Sequence, residues 1–239
     1  MELREGIILK TIKYQENSKI AYIITKEGLV TALIRASLEY KSKNYSYSQE
    51  LTKIEFDISK SKRNSFDILT SGRLIDSYLN IKKDYNTLLE ISKIIDLTYK
   101  SIEHVTNCEY LYQLFVYLLD KYDQNYQKNN IKYYLLIFKV KLLYLLGVGF
   151  TTSKCSICGK NTLDFKGFSI ERGGFVCNHC KSRVNDYLQG DYIKILQILY
   201  LAKLDKLNQE LIDNIPLEFY SDIEMLIKNY YNRYLSISF

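Results

Sequence analysis

With 239 residues, 47% of them hydrophobic and 25% charged, the chain has the make-up of a folded globular protein of one to three domains, which sets aside disordered and fibrous classes. A net charge of +6 suits a polyanionic partner without requiring one. The opening residues Met1-Glu2-Leu3-Arg4-Glu5 lack the basic and apolar regions of a secretion signal. The most apolar run, 133–150, carries Lys139 and Lys141 near its middle and reads as a buried helix, not a membrane span. The expected location is the cytoplasm, with no membrane partner.

From Glu5 onward the apolar pattern has a period of two: Ile8, Lys10, Ile12 and Tyr14, then Ile20, Tyr22 and Ile24, then Leu29, Thr31 and Leu33. Lys26-Glu27-Gly28 supplies a hairpin turn. A polar stretch at 37–48 reads as a loop, and alternation resumes at Leu51, Lys53, Glu55 and Asp57 and again at Phe66, Ile68 and Thr70. Five strands in fewer than about eighty residues predict a small barrel of the OB type. After Asp76 the period lengthens toward 3.6, with Leu88, Ile91, Ile95, Thr98 and Ile102 on one face and Tyr110, Leu114, Tyr117 and Leu118 on the next. The apolar helix 131–146 ends at Gly147. Ile193, Leu196, Ile198, Leu199 and Leu201 mark a further helix, and another begins at the lone proline, Pro216. The many tyrosines read mostly as core filler.

Between these helices lie Cys155-Ser156-Ile157-Cys158 and Cys177-Asn178-His179-Cys180, two C-x-x-C pairs separated by eighteen residues. In a reducing compartment this spacing points to metal and away from disulfides. Each pair wraps a tight turn presenting two thiolates, and four sulfurs fill a tetrahedral zinc shell, so one structural zinc ion is expected on Cys155, Cys158, Cys177 and Cys180. His179 is expected to be exposed. Cys108 stands alone as a small apolar residue. The fold class is therefore α+β and multidomain: an OB-fold barrel at 1–78, a helical domain at 79–150 and 185–239, and an inserted four-cysteine zinc ribbon at 151–184.

Several segments together resemble the RecO recombination mediators. These are Glu5-Gly6-Ile7-Ile8-Leu9, Tyr14-Gln15-Glu16-Asn17-Ser18 and Ile24-Thr25-Lys26-Glu27-Gly28; the apolar helix from Tyr134 through Lys139 and Lys141 to Gly147; and Gly167-Phe168-Ser169 with Gly173-Gly174-Phe175-Val176-Cys177. The resemblance covers nearly the whole chain except the last two helices. It departs in the loop after the third strand, which in that family is usually glycine-containing and strongly basic, whereas Glu39 dilutes the charge of 35–43 here. The resemblance implies a cytoplasmic, nucleoid-associated protein that is not an enzyme. Its expected activities are binding of single- and double-stranded DNA, annealing of complementary strands and, with RecR, promotion of RecA loading onto strands coated by single-strand-binding protein.

The residues themselves offer a DNA surface. Arg35, Lys41 and Lys43 accompany Tyr40, Tyr45 and Tyr47 in one loop, and Lys60, Lys62 and Arg63 occupy the next turn, the mixture of cations and rings that OB-folds use on single strands. The same enrichment also describes an ordinary solvated loop. His104 and His179 are the only histidines, and the chain has neither a glycine-rich phosphate loop nor a Ser-His-Asp order, thin material for catalysis. The competing readings are a zinc-ribbon enzyme acting on nucleic acid and a protein-interaction scaffold without DNA binding.

Overall fold

The computed structural model describes residues 3–61, 66–125, 129–162 and 165–235. The chain divides into two compact units, Met1–Gln124 and Asn125–Phe239.

The first unit is built on five strands, β1 (Arg4–Tyr14), β2 (Ser18–Thr25), β3 (Gly28–Ile34), β4 (Lys53–Ser59) and β5 (Asp67–Asp76). They close into a barrel in the order β1-β2-β3-β5-β4. Neighbouring strands pair antiparallel except at the closure, where β3 and β5 run parallel through two residue pairs, Ala32 with Asp67 and Leu33 with Ile68. Ile8, Ala21, Ile23, Ala32, Ile34, Ile54, Phe56 and Leu69 fill the interior. The 37–48 stretch expected as loop contains a five-residue helix, α1 (Lys43–Tyr47), capped by the Ser42 side chain accepting from the Asn44 backbone N–H. Its Tyr47 joins the barrel core. Gly72 makes room for that ring, since a Cβ there would lie 2.6 Å from it.

Helices α2 (Leu79–Lys83), α3 (Tyr85–Ser101) and α4 (Cys108–Asn125) complete the unit. Asp84 caps α3 by accepting from the Thr87 N–H at 2.7 Å, and Asp123 accepts from the Asn80 and Ile81 N–H groups at the start of α2. These helices cover part of the outer barrel wall: the Tyr112 hydroxyl donates to Glu5 at 2.8 Å, the rings of Tyr22 and Tyr99 meet edge to face at 5.5 Å, and the outward Ile7 and Ile24 are fully buried.

In the second unit α5 (Tyr133–Leu145) is apolar around its whole circumference, which puts it at the centre of the helical packing. It is joined by α6 (Tyr192–Leu201), α7 (Gln209–Asp213) and α8 (Phe219–Tyr234). Between α5 and α6 lies a three-stranded sheet, β6 (Gly167–Ser169), β7 (Gly174–Val176) and β8 (Tyr187–Gln189), in the order β7-β6-β8. A barrel, then helices, with a four-cysteine module inserted among them is the fold class expected from the sequence. Tyr78, Tyr133, Tyr134, Tyr230 and Tyr231 are fully buried, as core filler should be. No described helix is long and apolar enough to cross a membrane.

The two lysines of the apolar run have separate partners. Lys139 pairs with Glu224 at 3.5 Å. Lys141 is buried, and its amine donates to the backbone oxygens of Tyr200 and Ala202, carbonyls at the C-terminus of α6 that no residue of that helix can satisfy. Burial lowers its pKa to about 8. Between that value and the ordinary 10.5 the unfolded chain binds the extra proton, so this group's contribution to stability rises with pH there. The buried tyrosines, whose pKa values burial raises, act in the opposite direction toward pH 10, so the measure is the difference between wild type and Lys141→Met in urea denaturation, which should shift in favour of wild type by about 2 kcal/mol between about pH 8 and 10. A difference that does not change with pH would refute it.

Candidate metal centre and nucleic-acid surface

Two turns bring the four cysteines together. In the first, the Gly159 N–H donates to the Cys155 carbonyl at 2.9 Å and the Cys155 N–H to the Lys160 carbonyl at 2.9 Å. Gly159 sits at φ +71°, the left-handed region that glycine enters without strain. In the second, β7 runs out into Cys177, and the Cys180 N–H returns to the Cys177 carbonyl at 3.0 Å. All four Sγ atoms lie within 4.8 Å of one another, with Cys158 and Cys177 at 3.9 Å. A tetrahedral zinc with Zn–S near about 2.3 Å places sulfurs roughly 3.8 Å apart, whereas a disulfide brings them to about 2.05 Å. The set therefore fits a metal, and all five cysteines are free thiols.

Cys155, Cys177 and Cys180 are buried and Cys158 is exposed. Burial raises the Cys155 thiol, but hydrogen bonds from the backbone N–H groups of Cys177, Cys158 and Ile157 outweigh it and bring the pKa down to about 6. That favours the thiolate a metal needs. Cys180 shifts upward through burial and its sulfur neighbours. His179 is exposed and outside the group, as expected.

On the barrel, the register places the ends of several strands at one rim. Lys19 of β2 lies opposite Ile34 of β3, Leu33 opposite Ile68 of β5, and Ile68 opposite Ser59 of β4. The β1–β2 hairpin, the start of the β3–β4 connection and the β4–β5 turn therefore share that rim. Arg35, Lys41, Lys43 and Lys60 are exposed, while Lys62 and Arg63 lie outside the described residues. Tyr40 is 84% exposed and meets the Tyr45 ring edge to face at 5.5 Å. Glu39 keeps its charge but is fixed in place: it accepts from the Asn17 side-chain amide at 2.8 Å, and the Leu38 N–H donates to the Asn17 carbonyl, tying the loop to the hairpin. Sequence reasoning missed a second ring pair, Tyr14 at the end of β1 with Phe66 before β5, 5.3 Å apart. The habit of OB-folds to bind through these two connections was the signal that could have found it.

These features define a class: a barrel-and-helix protein with an exposed basic and aromatic rim and a four-thiol module suited to a structural metal. Residues 1–78 match the family described as Recombination protein O N terminal, and residues 82–239 match Recombination protein O C terminal. The DNA repair protein RecO of Listeria monocytogenes serotype 4b (strain CLIP80459) is 29% identical over 237 residues, covering 98% of this chain and 89% of that one. The protein of the same name from Bacillus cytotoxicus is 30% identical over 240 residues, covering 98% and 92%. The chain belongs to the RecO family of DNA repair proteins.

Proposed function

We propose that the protein is a non-enzymatic cytoplasmic recombination mediator that holds single- and double-stranded DNA on the barrel rim and anneals complementary strands. With RecR it would promote RecA loading onto strands coated by single-strand-binding protein. One zinc ion on Cys155, Cys158, Cys177 and Cys180 would hold the module folded, its four sulfurs leaving no position for substrate. The observation that carries the DNA reading is the single rim where Arg35, Lys41, Lys43 and Lys60 stand among the pairs Tyr40–Tyr45 and Tyr14–Phe66. Cations there follow phosphates, and rings accept unstacked bases.

Replacing Lys41, Lys43, Lys60, Lys62 and Arg63 with glutamate tests it. Affinity for a single strand falls with log salt by about 0.7 per phosphate contact, so the folded variant should bind more weakly, with a flatter slope, and anneal more slowly. A variant that binds and anneals like the parent would remove the rim from the mechanism.

For the acidic tail of single-strand-binding protein, the helical unit offers an apolar groove of about 430 Å³ lined by Gln197, Ile198, Leu201 and Ala202. Exposed Lys194 and Lys203 flank it in sequence. Lys132 and Lys139, elsewhere on the helical unit, are already engaged, the first over the Tyr220 ring at 4.2 Å and the second with Glu224.

A further inference from the structure

The four-cysteine module presents a charged surface that the metal does not explain. Lys154, Lys160, Lys166, Arg172, Lys181 and Arg183 are all exposed. Asp186, fixed by the Ser169 hydroxyl at 2.6 Å and the Glu171 N–H at 2.8 Å, and the exposed Glu171 offset only part of this positive charge. Some of these cations could balance the thiolates, which together with a divalent ion leave a charge of about −2. Three of them are arranged more specifically than that.

β6 and β8 are neighbours in the sheet, Gly167 lying opposite Gln189. Gly167 lets the Tyr187 ring rest against the β6 backbone, since a Cβ there would lie 2.4 Å from it. The Lys181 amine stands 5.5 Å from the centre of that ring and donates to the Gln189 side chain at 2.8 Å. Lys166, one residue before β6, lies close enough to act electrostatically on the same phenol. Arg183 ends the 3-10 turn that carries Lys181. An ammonium already held by a ring and an amide loses less freedom on meeting a phosphate than a lysine waving in solvent.

We propose that Lys166, Lys181 and Arg183, with Lys181 held in place by Tyr187 and Gln189, form a second contact for the phosphates of nucleic acid, distinct from the barrel rim. It rests on the reading that the chain binds DNA. If instead the cations serve the thiolates, their loss would weaken metal retention and leave DNA affinity unchanged.

The test uses the full-length protein and a fluorescein-labelled oligothymidine strand titrated over a series of salt concentrations, with metal content measured in parallel. Lys166→Glu/Lys181→Glu/Arg183→Glu should keep its metal, bind at least roughly tenfold more weakly at moderate salt and lower the salt slope by about 2, three contacts at about 0.7 each. Unchanged affinity and slope in the metal-replete triple variant overturn the proposal. Should that variant lose metal, Lys166→Gln/Lys181→Gln/Arg183→Gln decides instead, because it removes the contacts without placing new negative charge beside the sulfurs; an unchanged slope there is equally fatal. A wild-type chain that fails to bind the strand defeats the DNA reading itself. A wild type that binds, with a rim variant of flattened slope and an unaffected module variant, defeats the second contact alone.

Discussion

Cys177→Ser is expected to take the metal content from one ion per chain to none and to unfold the segment 151–184 while the barrel stays intact. Cys177 is at the middle of the cluster: its sulfur is 3.9 Å from that of Cys158, and its N–H donates to the Cys155 sulfur at 3.4 Å. The module has three strands of three residues each, too little buried surface to fold by itself, so a zinc ion bound by the four cysteines, as proposed above, would supply its folding free energy, about 10 kcal/mol or more for structural zinc sites. Elemental analysis reads the first effect. Hydrogen exchange reads the second, with amides of 151–184 exchanging quickly and those of β1–β5 protected as before. Retention of one equivalent of metal, or even exchange loss across barrel and module alike, would contradict the expectation.

Phe150→Ala should destabilise the second unit by about 3–5 kcal/mol without releasing metal. Phe150 is 5% exposed, and its ring centre lies 4.8 Å from those of Tyr200 on α6 and Tyr230 on α8, and 5.0 Å from that of Phe168 in the module sheet. One side chain thus joins the module to the helices that flank it, and truncating it leaves a cavity facing four rings, Phe175 at 6.3 Å being the fourth. The variant should unfold at lower urea with full metal content, the reverse of Cys177→Ser, which loses metal first. A shift of less than about 1 kcal/mol would mean the neighbouring rings collapse into the gap.

The cysteine pairs were fully legible because metal chemistry constrains both residue type and spacing, and the structure brings all four sulfurs together. The strands were legible through alternation, yet alternation misleads within β1. At period two Ile8 and Ile12 share a face, but the register shifts between Ile8 and Lys10, leaving Ile8 in the core and Ile12 44% exposed. A bulge adds one residue and carries no mark in the sequence. α1 was hidden for another reason: five residues are too few to show a 3.6 period, and what fixes it is Tyr47 reaching the barrel core across Gly72, a tertiary contact. The same holds for the rim, where nothing local pairs Tyr14 with Phe66, fifty-two positions further along the chain. Lys141 could be read as a buried lysine, but its partners sit on α6, fifty-nine and sixty-one residues away.

The parallel closure of the barrel acts as a latch. Seven residue pairs hold β2 to β3, but two hold β3 to β5, so thermal opening of the cylinder will begin at that seam. Arg35 continues directly from β3, and Lys60 leads from β4 into the turn before β5. Opening there would change the spacing between Arg35 and Lys60 while the seven pairs of β2 with β3 hold, so the width of the rim would follow the state of one short seam.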